Sequence, residues 1–289
     1  MIPPIASNFV AGESAATAID HARSLNDHDV GAILNLLGEH YHERGPADGD
    51  ADAYMDLIED VASSDIRARV SLKPSQVGLD VGADQGERPT ERGRVAFAEN
   101  VERIVDHSRE HGVFVWIDME DHPTTDATLD VYEKMATKHG GGVGVCVQAN
   151  LERTTDDIHR LAGLPGKVRL VKGAYDEPAS VAVKGKKNVN ERFRELIRTS
   201  FEEFDDGVGV ATHDPEMIEF TERLAEQHDT GFEVQMLMGV RESAQYELAE
   251  DYEVWQYVPY GTKWFSYFYR RLMERKENAL FAARAVLGG

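Results

Sequence analysis

The sequence predicts an α/β protein of the (β/α)₈ barrel class. Eight short apolar runs of strand length alternate with longer stretches of helical period, which is the pattern of repeated βα units. No Gly-x-Gly-x-x-Gly follows the first run, which speaks against the open doubly wound sheet that the same alternation allows. Periodicity does not show closure, so the open sheet stays the second reading at this level.

In chain order, residues 13–25 come first, with Ala, Ile and Leu at helical spacing, ahead of the first strand at 31–38 (GAILNLLG). A helix over 53–63 precedes the second strand at 68–74 (ARVSLKP), and a long one over 91–111 precedes the third at 112–119 (GVFVWIDM). Residues 124–138 lead to the fourth strand at 142–149 (GVGVCVQA), and 155–162 to the fifth at 167–174 (KVRLVKGA). Helices over 190–203, 215–227 and 242–250 separate the sixth, seventh and eighth strands at 207–214 (GVGVATHD), 232–239 (FEVQMLMG) and 254–261 (VWQYVPYG). Most strands are β-branched or aromatic and nearly continuously apolar, as strands covered on both faces must be. The glycines at 140–142 precede a strand instead of opening a helix, so they read as a turn. No linker or repeat divides the chain, and a single domain over 1–289 is expected.

Composition narrows the class further. The 289 residues are 42% hydrophobic, enough for a large core, and the single Cys146 excludes a disulfide scaffold. No apolar stretch approaches the roughly 20 residues that span a bilayer, and MIPPIASNFVAGES lacks the pattern of a secretory signal. A cytoplasmic protein is expected. There are 52 acidic residues against 31 basic ones, for a net charge of −21, and the basic set is 21 Arg with only 10 Lys. Such a surface repels phosphates and anionic lipid, which excludes nucleic acid as a partner and limits membrane association to transient peripheral contact. Acidic excess with sparse Lys also fits a halophilic source, where salt screens the self-repulsion. The 11 His show no HExxH spacing and Cys146 lies in a strand, so no metal site is expected; KGKK at 184–187 reads as a solvated loop. The sequence sets no oligomeric state.

Polar residues gather at the carboxyl ends of the strands, where a barrel does its chemistry. Lys73 closes the second strand, Asp118 the third and Gln148 the fourth. Arg169 and Lys172 lie in the fifth, Thr212 and His213 end the sixth, Gln235 lies in the seventh, and Tyr257 interrupts the eighth. Singly, each could be a strand-end group facing water; as a set they point to a site. After the last strand, a helix starting near Lys263 brings Tyr267, Arg270 and Arg271 to one side at i, i+3 and i+4. Two guanidinium forks beside aromatic rings suit a carboxylate with an apolar part, although spacing alone also fits a solvated basic turn.

Several of these segments together resemble the proline dehydrogenase family. RLVKGAY (169–175), ATHD (211–214), and YVPYG followed by YFYRRLMER (257–275) carry the resemblance, and FVAGES (9–14), ILNLLGE (33–39) and WIDMED (116–121) fit its monofunctional form. The resemblance covers nearly the whole chain from Phe9. The chain begins close to FVAGES where members of the family usually carry more sequence, so an N-terminal helix is expected to be missing. The family implies a distorted (β/α)₈ TIM-like barrel with its last helix over the carboxyl end. It also implies FAD-dependent oxidation of L-proline to Δ1-pyrroline-5-carboxylate, by hydride transfer from proline Cδ to flavin N5, with electrons passed to a membrane quinone.

Carried over by motif, Arg270, Arg271 and Lys73 would hold the substrate carboxylate, Tyr257 and Leu237 would cover its ring, and Tyr267 would back the arginine face. Asp118 matches the family's strand-three aspartate; a carboxylate among cations should have a lowered pKa and act as an organiser more than as a base. For FAD, the matching positions are Gln148, Arg169, Lys172, Gly173, Ala174, Thr212 and His213, with Met119 and Glu274 as further contacts; Arg169 would lie on the flavin N5 side and tune the ring. Two other readings remain: another barrel flavoenzyme such as a folate reductase, which would need no paired arginines, and a non-catalytic proline or flavin sensor.

Overall fold

The computed structural model describes residues 2–3, 6–83 and 87–269. Eight parallel strands close into a barrel in sequence order: β1 (Gly31–Leu36), β2 (Ala68–Leu72), β3 (Val115–Ile117), β4 (Val143–Gln148), β5 (Lys167–Val171), β6 (Val208–Ala211), β7 (Phe232–Leu237) and β8 (Glu253–Tyr260). Closure is made by β1 and β8, paired over six residues from Gly31 opposite Trp255 to Leu36 opposite Tyr260. This removes the open sheet from consideration.

The helices are α1 (Ala15–Asn26), α2 (Arg44–Ala62), α3 (Glu91–His111), α4 (Thr125–His139), α5 (Thr154–Leu161), α6 (Lys186–Glu203), α7 (Pro215–His228) and α8 (Glu242–Ala249). Their apolar faces pack on outward strand residues such as Leu34, Val70, Val145 and Val210 to form one continuous core layer. Helix α1 precedes β1 and packs against both β1 and β8, with a His21 ring nitrogen 2.8 Å from Gln256 Oε1. It therefore covers the wall that the helix after the last strand covers in a regular barrel. Residues 264–269 are helical, and Tyr267, with Trp264 and Phe268, packs on Phe9, Val10 and Leu37 at the carboxyl end of β1.

Boundaries differ from the periodicity in informative places. Helix α2 starts at Arg44, well before residue 53, because its first half (RGPADGDAD) carries Pro46, Gly49 and few large apolar residues; Ala47 and Ala51 alone mark the buried face there. Pro46 is tolerated because a first-turn N–H has no intrahelical partner to lose. Strand β3 is only Val115–Ile117, since Gly112 at φ 69° is the left-handed cap of α3. Strands β2, β3, β5 and β6 stop before Lys73, Asp118, Lys172 and Thr212, which places those groups on the loops at the barrel mouth.

The barrel interior is filled. Ile33, Trp116 and Trp255 occupy it with Phe114 and Tyr257, and the indoles fit because Gly144 and Gly31 face them: a Cβ at either glycine would lie 2.4 Å from a ring atom. The amino end is closed by charges. Glu233, 1% exposed, accepts from Arg69 at 2.7 Å and Lys167 at 2.6 Å, and the Arg69 guanidinium lies 3.7 Å from the Trp255 ring centroid. Burial pushes the Glu233 carboxyl up, but the two cations outweigh it and hold it below the usual range. The interior is thus sealed below and polar above. Among the described residues, no helix is long and apolar enough to cross a membrane.

Candidate active site

Side chains two apart on a strand share a face, so each inward file rises from the sealed end to the mouth. On β2 the file is Arg69, Ser71 and then Lys73; on β8 it is Glu253, Trp255 and Tyr257; on β5 it is Lys167 and Arg169. Asp118 continues the file of Trp116 just past β3. All four strands deliver their upper polar group to one point, and Asp118 is its centre.

Asp118 accepts four hydrogen bonds. Ser71 Oγ donates to Oδ1 at 2.7 Å and Arg169 Nη2 donates to the same oxygen; Lys73 Nζ and Tyr257 OH donate to Oδ2 at 3.1 and 2.8 Å. Arg169 is fixed further by Nη1 donating to Gln235 Oε1 at 3.1 Å, and its guanidinium lies 4.9 Å from the Trp116 ring centroid. Burial opposes ionisation of Asp118, yet Lys73, Arg169 and the hydroxyls of Ser71 and Tyr257 outweigh it and bring the pKa down to about 2. Burial disfavours the charged Lys73, but Asp118, Tyr257 and Tyr175 overcome it and hold the ammonium well above its usual value. The Tyr257 phenol is pushed well up, by burial first and then by the Asp118 charge. Two fixed cations therefore face one fixed carboxylate. The surplus positive charge lies at the mouth, where an anion can reach Lys73, whose side chain is 18% exposed.

A second group of residues lines a cavity of about 300 Å³ beside this centre, above the ends of β4 and β5 and at the start of α6. Asn150, Lys172, Gly173, Tyr175, Lys184 and Asn190 are among its walls. Gly173 is required there: its φ is +97°, and a Cβ would lie 2.0 Å from Asn150 Oδ1. The buried Oδ1 atoms of Asn150 and Asn190 have no hydrogen-bond partner among the described residues. Lys172 Nζ bonds Asp214 Oδ2 at 2.9 Å, tying the end of β5 to the cap of α7. The stretch at 184–187 is thus only partly the solvated loop its composition suggests, since its first three residues form part of this wall.

The remaining expected residues fall as follows. Gln148 is buried and donates to the Glu120 carbonyl at 2.7 Å. The Thr212 hydroxyl accepts from Asp214 N at 3.2 Å, and His213 Nε2 accepts from Leu237 N at 3.3 Å, which puts the proton of a neutral ring on Nδ1. Leu237 is half-buried and pairs in register with Tyr257. Ala174 is exposed, and Met119 packs into the outer apolar core. Tyr267 is buried against Phe9, Val10 and Leu37. Arg270, Arg271 and Glu274 lie outside the described residues.

Three residues are not legible in the sequence as site members. Ser71 sits two positions before Lys73 in the β2 file, where alternation points to it; Gln235, expected as one of the polar strand residues, joins the site through Arg169. Tyr175 belongs to RLVKGAY, and its influence on Lys73 shows only in space. Glu120 is 1% exposed and accepts from Ser75 N at 2.6 Å and Ser75 Oγ at 2.8 Å, under the loop that carries Lys73.

The terminal segment is tied to this centre by a continuous chain. Lys263 donates to Tyr41 OH and lies 4.1 Å from that ring's centroid; Tyr41 OH and Gln76 Nε2 donate to Asp50 Oδ2 at 2.7 and 2.8 Å. Tyr54 OH is 3.2 Å from Gln76 Oε1 and donates to the Ser71 carbonyl at 2.8 Å, where Asn35 Nδ2 also donates at 2.8 Å. Ser71 in turn holds Asp118.

The chain is similar to known proteins along most of its length. The family model for proline dehydrogenase matches residues 18–284. A proline dehydrogenase of Deinococcus radiodurans is 37% identical over 292 residues, covering 99% of this chain and 91% of that protein. Proline dehydrogenase 1 of Bacillus subtilis is 34% identical, covering 98% and 90%. Among solved structures, proline utilization A of Bdellovibrio bacteriovorus, inactivated by N-propargylglycine, superposes with a TM-score of 0.81 at 22% identity over 93% of this chain. A mutant of the Bradyrhizobium japonicum protein of the same name gives 0.78 at 21% identity over 96%. The chain spans about a third of those two proteins (32% of each), and the likeness to them is one of fold.

Proposed function

The chain belongs to the proline dehydrogenase family and is an oxidoreductase of proline catabolism; we propose that it oxidises L-proline to Δ1-pyrroline-5-carboxylate with FAD as electron carrier and a quinone as the final acceptor. The observation that carries the substrate assignment is the Asp118 centre, where the buried Arg169 and the partly exposed Lys73 face a single carboxylate. Proline offers a carboxylate, a secondary amine and an apolar ring. The carboxylate meets Lys73, joined in this reading by Arg270 and Arg271, and the ring lies against Tyr257 and Leu237. Tyr267, which in this reading backs the arginines, is itself buried against Phe9, Val10 and Leu37.

The cavity beside the centre suits FAD on three counts. The Asn150 and Asn190 side chains leave buried amide oxygens unpartnered, Gly173 lets the Asn150 amide pack against the backbone where a Cβ would collide with it, and Lys172, Lys184 and Lys186 bring cations to the start of α6. Lysines at a helix N-terminus suit a pyrophosphate. We assign Lys172, Gly173 and Ala174 to that part of the cofactor, Gln148, Thr212 and His213 to its polar edges, and Arg169 to the reactive side of the ring, with Met119 and Glu274 as outer contacts. When bound, FAD supplies the two-electron acceptor; the protein supplies position and charge.

The chain's own work is then clear. Lys73 anchors the carboxylate and so fixes the substrate ring relative to the mouth. Asp118, with its pKa near 2, stays ionised and serves to aim Lys73, Arg169 and Tyr257. It takes no proton from the amine at neutral pH. The packed indoles fill the barrel below the mouth and close it from that side.

We place the enzyme as one catalytic domain over 1–289, working in the cytoplasm with at most transient peripheral contact with the membrane that holds the quinone. The net charge of −21, with 21 Arg to 10 Lys, supports a high-salt source. Activity that rises with salt supports that origin, and a flat or falling response removes it. The decisive experiment for the function is anaerobic addition of L-proline to the yellow protein: bleaching of the flavin absorption supports the reading. Bleaching by reduced pyridine nucleotide and not by proline would replace it with a reductase of the folate type.

A further inference from the structure

Outside the mouth, at the opposite end of the helical layer, α3 carries His107 and His111 one turn apart, so both rings lie on one face of the helix. Helix α2 packs alongside α3 and brings Glu59 to the same place. His107 Nε2 lies 3.2 Å from Glu59 Oε1, is buried, and makes no hydrogen bond. The two imidazole centroids are 4.3 Å apart. His111 Nδ1 is 2.9 Å from the His107 carbonyl, which can only accept, so Nδ1 carries the proton and Nε2 of the neutral ring keeps its lone pair. One ligand atom from each of the three residues lies within 4.8 Å of the others.

We infer that Glu59, His107 and His111 form a binding site for a divalent transition metal, of which Zn2+ is the best match. Two imidazoles and one carboxylate suit Zn2+, Ni2+ or Cu2+, whereas Mg2+ and Ca2+ favour all-oxygen sets. The backbone carbonyl that holds His111 Nδ1–H does what second-sphere partners do at known sites: it fixes the tautomer and the ring. Glu59 is 61% exposed, so the outward positions belong to water, and the site is structural in kind, a clasp between α2 and α3. The sequence shows only a His-x-x-x-His on a polar helix face; Glu59, 48 positions earlier than His107, is added by the packing.

The test is calorimetric titration of the tag-free holoenzyme with Zn2+ in high salt and excess Mg2+, which suppresses loose binding to the acidic surface. The expected result is a single saturable equivalent, weakened about tenfold or more in His107→Gln and in His111→Gln. Zn2+ should raise Tm in the parent and not in His111→Gln, whose metal-free Tm stays at the parent value because the residue is exposed. Cu2+ at the same site should show two nitrogen ligands by electron paramagnetic resonance. Binding that Mg2+ displaces, binding unchanged in His111→Gln, or no saturable binding overturns the inference. None of these readouts depends on the assignment of substrate or flavin.

Discussion

The Tyr257 hydroxyl donates to Asp118 Oδ2 at 2.8 Å, across the barrel mouth and 139 positions along the chain. The same oxygen accepts from Lys73 at 3.1 Å. Tyr257 therefore does two things: its ring walls the mouth, and its hydroxyl fixes the carboxylate that aims Lys73. Tyr257→Phe keeps the ring and removes a hydrogen bond to a charged acceptor, a loss of about 1.5–3 kcal/mol when fully expressed. The expected outcome is a fall in kcat/KM for proline of roughly 10- to 100-fold, mainly through KM, with flavin content unchanged. An unchanged KM counts against the positioning role.

The pH dependence of stability follows from Asp118. Its folded pKa, about 2, lies below its ordinary value of 3.8. A depressed carboxyl contributes stability that is fully present above the ordinary value and is lost as pH falls through the folded one. The loss attributable to Asp118 thus spans about pH 4 to pH 2. Denaturant unfolding at pH 7 and at pH 3 should show a smaller difference in Asp118→Asn than in the parent, although the variant is less stable at both.

The cavity wall offers a test of the cofactor assignment. Gly173→Ala puts a Cβ at 2.0 Å from Asn150 Oδ1 and a side chain at φ +97°. Backbone strain of this kind costs about 1–3 kcal/mol. The purified variant should carry substoichiometric flavin, measured by its absorption against protein content, with proline KM for the loaded fraction little changed. Full flavin occupancy would move the cofactor away from this wall.

Arg270 and Arg271 are assigned from their motif. Arg270→Met and Arg271→Met should each raise the proline KM at least about tenfold, the loss of one charge-assisted hydrogen bond of about 1.5 kcal/mol or more. Bound flavin should stay. Loss of flavin in either variant contradicts a substrate role for that arginine.

Much of this was legible in the chain because strand and helix signals are local. Nearly continuous apolar runs, most of them β-branched or aromatic, mark the eight strands, since a strand covered on both faces has little polar side to show. Lys73, Asp118, Arg169 and Tyr257 were visible as polar exceptions in those runs. The start of α2 was not, because Pro46 and Gly49 interrupt its helical period and the packing of two alanines replaces it. Ser71 was hidden too: a serine in a strand draws no notice until its hydroxyl is found 2.7 Å from a buried carboxylate.

What the amino-acid order determined alone is the number, kind and succession of elements, and which residues could carry charge at the strand ends. Those are properties of neighbours two to four positions apart, where side-chain period and backbone preference act. What the folded molecule decided is which distant groups meet. Closure of β1 on β8, the transfer of α1 to the wall between them, and the convergence of four strands on Asp118 depend on register and shape, and the energy of a buried ion set depends on its complete surroundings. No local period encodes that, and the same holds for Glu59 beside His107 and His111.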